Sequence, residues 1–482
     1  NHFRLFRLIR DVLIGIKRMF SHAPDTAKEQ ATLMENVAKH RSIPFHSPEY
    51  ELARRFFREN LEDILRRAKE PGAKVLVSTL VCNLKDQPPF IAKFSPDTPV
   101  HARQVWRDQV SLGEAALARG DANPAILAFG RAITLDSNHA LAYFDLGKAW
   151  QVAGEPDSAR WAYRAAADRD ELRFRASSEW NPLIQEEAQK EGAGTVPMER
   201  AFERTSPQGL IGRELIFEHL HPNFSGYCLM AQTFLEALRQ AGIPVPSEEW
   251  PELRPLTAQQ WMRLGHVTPV DLALGEWRIR KLTSRWPFVP EPDYSRLVPH
   301  TWRDSLALAY IQHEIPWSEV HYRAASHWEE AGQPDSAIAE YGAIAAVRPD
   351  AYYPPFRIGV LYLDKKEPQK ARPYLEQARK LNSRSPAVAY WLGTCYLLLK
   401  RPDAAEVLQA ALKLDQQKGT LKPQERMKLR YALSLALIQA GRPREAVPHL
   451  RWIADHFPQF SPVRALLERI KRGERVKIEF ED

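Results

Sequence analysis

Cysteine is scarce in this chain: Cys82, Cys228 and Cys395 are the three in 482 residues, far apart and each in an apolar run. An odd number at such spacing builds neither a disulfide framework nor a zinc site, so buried thiols are expected. The opening segment NHFRLFRLIRDVLIGIKRMF lacks an initiator Met, a cleavage motif and an uninterrupted hydrophobic run. It therefore reads as neither a signal peptide nor a membrane span. What it has is Phe3, Phe6, Ile9, Leu13, Ile16 and Phe20 at helical spacing, with Arg4, Arg7, Arg10, Lys17 and Arg18 among them. A basic amphipathic helix of this kind docks on its own domain or lies on a membrane surface. A compact basic stripe with interleaved aromatics is also missing. The 67 Lys and Arg exceed the 60 Asp and Glu by a net +7, and they are spread over the whole length. That distribution makes no nucleic-acid footprint. With 26% charged and 44% hydrophobic residues the composition is that of a soluble globular protein, and the length implies two or three domains.

The strongest positive signal is a period of 34 residues. Leu112-Gly113, Ala125, Phe129 and Ala132 recur 34 positions later as Leu146-Gly147, Ala159, Tyr163 and Ala166. In a second block Ala325, Gly359 and Gly393 keep the same spacing, as do Ala337, Ala371 and Ala405. A fourth unit carries Ala446 and Pro458 after seven extra residues around QQKGTLKPQ. Each unit reads as helix–turn–helix. The small residues allow close helix approach, while Phe129, Tyr163, Tyr362 and Tyr396 are the expected fillers. These units resemble tetratricopeptide repeats, two inserted at 100–170 and four in a C-terminal array over 319–482. The tail SPVRALLERIKRG reads as a capping helix.

Between and before the repeats the pattern changes. Residues 50–69 form an amphipathic helix ended by Pro71-Gly72. KVLVSTLVCNL is then a short β-branched run of the kind found in a strand covered on both faces. ASSEWNPLIQEEAQKEG is a further helix, AGTVPMERAF a weaker strand, and Leu229, Met230, Phe234, Ala237, Leu238 and Ala241 line one face of a last helix. This order predicts α/β architecture over 1–99 and 171–250, interrupted by the repeats and followed by a helical linker at 251–318. Two strands do not make a self-sufficient parallel sheet, so either upstream sequence or a second chain completes it or the strand assignment is wrong, and completion by upstream sequence is the expectation.

The turn FEHLHPNFSGY places Glu218 three residues before His221, at the start of the last helix. A carboxylate and an imidazole so spaced read as the acid–base half of a hydrolase. His219 adds an H-x-H pair, without a further ligand cluster to make a metal site. VLVSTLVCNLKDQPPF, DRDELRFRA followed by Asn181, and ELIFEHLHPNFSGY, in that order, resemble the SGNH/GDSL-type hydrolases that carry inserted and C-terminal tetratricopeptide repeats. The resemblance implies an α/β/α sandwich with a parallel sheet and a Ser nucleophile on a Gly-Asp-Ser block. His221 would then be the general base, and Glu218 would orient it. Pro222 and Asn223 would fix the turn, and Gly226 would let the helix start close to it.

No Gly-Asp-Ser and no G-x-S-x-G occurs in this sequence. Ser78 falls in a strand, Ser177 and Ser178 are expected on a helix, and Ser225 is too close behind His221. The nucleophile is therefore expected upstream of residue 1. Asn83, Arg175, Asn181 and Asn223 are candidate site-lining residues, and Arg173, Arg175 and Asn181 are candidates to line the site or reach an anionic group. Two functions stay open: the C-terminal portion of an ester hydrolase or acyl transferase with interaction modules, or a catalytically inactive scaffold retaining the hydrolase-like fold. No cofactor is expected. The expected partners are proteins held in repeat grooves, with a membrane surface reached through 1–20. The expected place is a bacterial cell envelope or membrane rather than the cytoplasm.

Overall fold

A computed structural model describes residue 38 and residues 42–70, 72–295 and 297–474. The amphipathic helix expected at 1–20, and the membrane attachment argued from it, lie outside these residues. No described helix is long and apolar enough to cross a membrane. The chain divides into two compact units, one of Asn1–Trp250 with Thr283–Asp293, the other of Pro251–Leu282 with Tyr294–Asp482.

In the first unit, helix α1 (Pro48–Lys69) begins where Ser47 accepts the Tyr50 amide at 3.2 Å and Pro48 needs no partner for a missing N–H. Acidic residues fill its first turn and basic residues its last, matching the helix dipole. It buries Tyr50 and Leu65 and packs on α6 (Trp180–Lys190), with Phe57 edge-on to Trp180 at 4.7 Å. Strand β1 (Leu76–Ser78) pairs in parallel with β2 (Gly194–Val196), Leu76 opposite Gly194. The connection between them holds four helices besides α6: α2 (Val100–Ala118), α3 (Ala122–Leu135), α4 (Ala140–Val152) and α5 (Pro156–Arg169). A parallel crossover needs about a dozen residues, so the two inserted repeats are an addition within it. Helices α7 (Met198–Thr205) and α8 (Phe224–Gln240) follow β2. Val196, Met198, Phe202, Ile211, Leu215, Ile216 and Ala237 form their shared core.

The expected α/β/α sandwich is corrected at this point. Among the described residues the sheet has two strands of three residues each, and the remaining regular structure is helical. The ladder is short for a local reason. Thr79 still donates to Val196 O at 3.1 Å, but Pro197 follows and has no N–H to give. At Leu80 the Asn181 side chain replaces a neighbouring strand, its Oδ1 accepting from Leu80 N at 2.7 Å and its Nδ2 donating to Leu80 O at 2.9 Å.

In the second unit α9 (Ala258–Leu264), α10 (Pro269–Thr283, its last residue assigned to the first unit) and α11 (Trp302–Ile311) precede the array. The array pairs α12 (Trp317–Glu330) with α13 (Pro334–Val347) and α14 (Tyr353–Asp364) with α15 (Pro368–Leu381). It continues with α16 (Pro386–Leu398) on α17 (Ala404–Lys418) and α18 (Pro423–Gln439) on α19 (Pro443–His456), and α20 (Pro462–Lys471) packs on the end. The extra residues of the last unit are taken up by α17 and α18, with Gly419 turning the chain at φ 65°. Asp415 braces that turn, accepting from Leu421 N at 2.9 Å and from Arg426 Nε at 2.5 Å.

The small residues do set the helix approach in both blocks. A Cβ on Gly113 would meet the Phe129 ring at 2.6 Å, and one on Gly147 the Tyr163 ring at 2.7 Å. In the C-terminal array the fillers are not Tyr362 and Tyr396. Leu375 fills the notch of Gly359 and Leu408 that of Gly393, each at 2.5 Å from the missing Cβ. Tyr362 and Tyr396 lie three residues after the glycines on the same helix, so they flank the notch and cannot enter it. Tyr362 stacks on Tyr374 at 5.7 Å, and the Tyr396 hydroxyl donates to Glu376 at 2.9 Å.

Candidate functional site

The Glu218 turn is closed by an antiparallel bridge between Ile216 and Pro222. Phe217 N donates to His221 O at 2.8 Å, and Asn223 N to Leu215 O at 2.9 Å. Asn223 then caps α8, its Oδ1 accepting Gly226 N at 3.0 Å while its Nδ2 reaches Arg213 O at 3.0 Å and Glu214 O at 2.9 Å. The Glu218 carboxylate fills the inside of this loop. Its Oε2 accepts from the amides of His219 and of Leu220, the latter at 3.0 Å, and its Oε1 accepts the His221 amide at 3.1 Å. The same Oε1 meets His221 Nδ1.

Burial pushes the Glu218 carboxyl up, but the His219 and His221 imidazoles beside it more than compensate and hold it well below the usual carboxylate range. Conversely, the hydrogen bond that His221 Nδ1 donates to Glu218 raises the His221 imidazole above its ordinary value, against the opposing effect of burial. Glu218 is 3% exposed in its side chain and His221 48%. Among the described residues the His221 ring hydrogen-bonds through Nδ1, and no hydrogen bond is made through Nε2 of this half-exposed ring. An imidazole oriented by a buried carboxylate through one nitrogen, with the other turned outward, can take a proton from a hydroxyl or return it.

The other candidates fall into two groups. Asn83 and Arg175 brace the turn from behind. Asn83 N donates to His219 O at 3.0 Å and its Nδ2 to Ile216 O at 3.3 Å. Arg175 donates to Asn83 O at 3.1 Å and Gln87 O at 2.8 Å, and pairs with Asp170 at 3.1 Å. Asn181 is elsewhere, holding Leu80. Arg173 donates to Ile43 O at 2.9 Å and lies over the Tyr50 ring at 5.0 Å; burial lowers its pKa.

The serines are engaged in other contacts. Ser78 donates to Thr79 O at 3.0 Å, Ser177 meets the Tyr50 hydroxyl at 2.7 Å, and Ser178 donates to Asp168 at 2.7 Å. Ser177 and Ser178 lie in the segment before α6 and not on a helix. Their bonds to Tyr50 and Asp168 hold that segment in an irregular path. Among the described residues no cluster of three or more His, Cys, Asp or Glu has a metal-holding arrangement.

Two features of the second unit go beyond what is expected from the sequence. The first is a row of aromatics at one repeat position, Tyr322, Phe356 and Tyr390, with Tyr431 displaced by the extra seven residues. The signal was present, since the spacing is that of the glycines. Tyr322 approaches Tyr353 at 5.9 Å, and Tyr353 approaches Phe356 at 6.3 Å. Tyr390, Thr394, Leu397 and Leu398 of α16 face Met427, Lys428, Tyr431 and Leu435 of α18, with Phe460 closing a groove of 340 Å³.

The second feature is His321, wholly buried with Nδ1 2.6 Å from Glu340 and Nε2 3.1 Å from Asp271. Trp317 donates to the same Asp271 oxygen at 3.0 Å and covers the ring at 4.1 Å. Burial lowers the His321 pKa, but the two carboxylates override it and push it up to about 9. Both ring nitrogens are committed, so this cluster joins α10 to the array and has no open position for a substrate.

Residues 356–418 match the tetratricopeptide repeat family, and the chain carries tetratricopeptide repeats. No curated protein matches the chain. Among solved structures, the MamA protein is 19% identical over 33% of this chain and 84% of its own, with a TM-score of 0.29. YrrB, described as a tetratricopeptide repeat protein with an unusual peptide-binding site, is 17% identical over 36% of this chain and 85% of its own, TM-score 0.31. The TPR2AB domain of yeast Sti1, solved as a pHSP90 complex, is 10% identical over 69% and 99%, TM-score 0.24.

Proposed function

We propose that the protein is a binding or assembly protein whose C-terminal repeat array holds an extended, largely apolar segment of a partner protein. The observation behind this reading is the groove between α16 and α18, nine of whose ten lining residues lack a charge, with Lys428 as the exception. An extended segment satisfies its own backbone in water and gains by burying alternate apolar side chains against Tyr390, Leu397, Tyr431 and Phe460. Lys428 favours a segment with a carboxylate beside its apolar anchor. The test is selection of a random-peptide library on the full chain. Enriched peptides should carry apolar side chains and weaken at least about 10-fold, the equivalent of about 1.4 kcal/mol, on Tyr431→Ala or Thr394→Glu. Enrichment indifferent to both substitutions would sink the reading.

A second reading is favoured by one observation, the pairing of Glu218 with His221 Nδ1 inside a closed turn. In this reading the first unit is the base-bearing part of an SGNH-type ester hydrolase or acyl transferase. His221 takes the proton of a serine hydroxyl through Nε2, and Glu218 stabilises the imidazolium that forms. The serine would come from sequence outside the chain described. Turnover of a short-chain aryl ester by the intact gene product, abolished by His221→Ala, supports this reading. Unaltered turnover in that variant removes it.

A further inference from the structure

His219 is the residue of the Glu218 turn that neither reading uses, and its surroundings are unusual for an imidazole. It is 2% exposed. Its ring lies edge-on to Phe90 at 5.3 Å, with Phe288 at 5.6 Å and Phe174 at 5.8 Å. Neither ring nitrogen makes a hydrogen bond of good geometry among the described residues. Nδ1 nonetheless abuts Oε2 of Glu218 closely enough to form an ion-pair contact. A buried polar ring left without a partner costs on the order of 1–3 kcal/mol. A site that needed only packing would be better filled by phenylalanine.

We propose that His219 is a positioning residue that fixes the Glu218 carboxylate in the orientation presented to His221. Oε2 is held on one side by the amides of His219 and Leu220 and on the other by the His219 ring. Oε1 is thereby left to the His221 amide and Nδ1. The Nδ1 edge of the His219 ring lies against Oε2. The aromatic cage keeps the ring from swinging away and keeps water from competing for the carboxylate. His219 O also accepts Asn83 N at 3.0 Å, so the backbone of the positioning residue is itself anchored. The raised pKa of His221 agrees with a carboxylate held in line with its ring.

This inference deepens the hydrolase reading of the turn, but its test needs no turnover, so the two stand or fall separately. The experiment follows the His221 titration midpoint by NMR of isotope-labelled histidine in the full chain and in His219→Phe, His219→Gln and Phe288→Ala. In His219→Phe the midpoint should fall toward the ordinary imidazole value of about 6.5, because Oε1 is no longer held in line. In His219→Gln, whose side-chain amide can donate to Oε2, the midpoint should stay near that of the unaltered chain. An unchanged midpoint in His219→Phe means packing alone and overturns the proposal. A raised midpoint means that His219 merely competed for the carboxylate, and overturns it equally. Should His219→Phe fail to fold, Phe288→Ala keeps every polar group while opening the cage to water. It should lower the midpoint in the same direction, and no change there also overturns the proposal.

Discussion

Gly226 and Leu215 are in backbone contact: a Cβ on Gly226 would lie 2.2 Å from the Leu215 carbonyl oxygen. That carbonyl is occupied by Asn223 N, and Asn223 in turn caps Gly226 N. The start of α8 is therefore pressed against the strand-like entry to the Glu218 turn, and neither side can retreat without breaking the cap. Gly226→Ala should cost about 1–3 kcal/mol, the usual penalty of overpacking a tight site. It would be read as a lower urea midpoint at unchanged slope. A midpoint equal to that of the unaltered protein would show that α8 is free to slide.

Acidification should reveal Glu218. Its folded pKa is depressed below the ordinary 4.5, so the stability it contributes is fully present above that value and is lost as pH falls through the folded value. Glu218→Gln cannot titrate. Urea midpoints measured from neutral pH downward should fall more steeply in the unaltered chain than in the variant. Parallel curves would mean that the carboxylate is not held in its charged form.

For His321 the sign is opposite. Its folded pKa of about 9 lies above the ordinary 6.5, so its contribution is fully present below the latter and is lost as pH rises through the former. Asp271 is held low, with burial opposed by its bonds to His321, Thr268 and Trp317, so its contribution disappears in acid. The second unit should thus be most stable between these limits. His321→Phe leaves Asp271 and Glu340 facing an apolar ring and should cost about 3–5 kcal/mol, the price of breaking a buried ion pair. Calorimetry at neutral pH measures this, and a near-neutral effect would mean that water replaces the imidazole.

Leu408 is wholly buried in the notch of Gly393. Leu408→Ala should cost about 2–5 kcal/mol, because rigid helices on both sides leave the cavity open. Trp161, 58% exposed on α5, is a control: Trp161→Ala should lie within about 0.5 kcal/mol of the unaltered protein. Equal losses at the two positions would contradict the packing described.

Much of the array is legible in the sequence. A helix–turn–helix period is a local property, and Gly147, Gly359 and Gly393 mark it because only the smallest residue fits where helices cross. The fillers were half right. Phe129 and Tyr163 lie across the notch, whereas Tyr362 and Tyr396 share a helix with the glycine they flank and leave the notch to Leu375 and Leu408. The aromatic row from Tyr322 to Tyr431 obeys the same period, with the seven extra residues before its last member. Within the turn, Glu218 and His221 were legible as a pair because three residues suffice to bring them together. The roles of Asn83, Arg175 and Asn181 were not, since their partners are backbone groups that come close only after folding.

The sequence by itself determined the repeats and the identity of the Glu218–His221 pair, since each rests on residues a few positions apart. The tertiary structure decided which leucine fills a glycine notch and that Asn181 ends the sheet at Leu80. It also decided that Phe90, Phe174 and Phe288 enclose His219. Those outcomes depend on groups up to about a hundred or more positions apart, as Asn83 and Arg175 are by 92 and Asn181 and Leu80 by 101. They meet only because burying apolar surface brings them together, and no local pattern specifies which backbone atoms will then be left to satisfy.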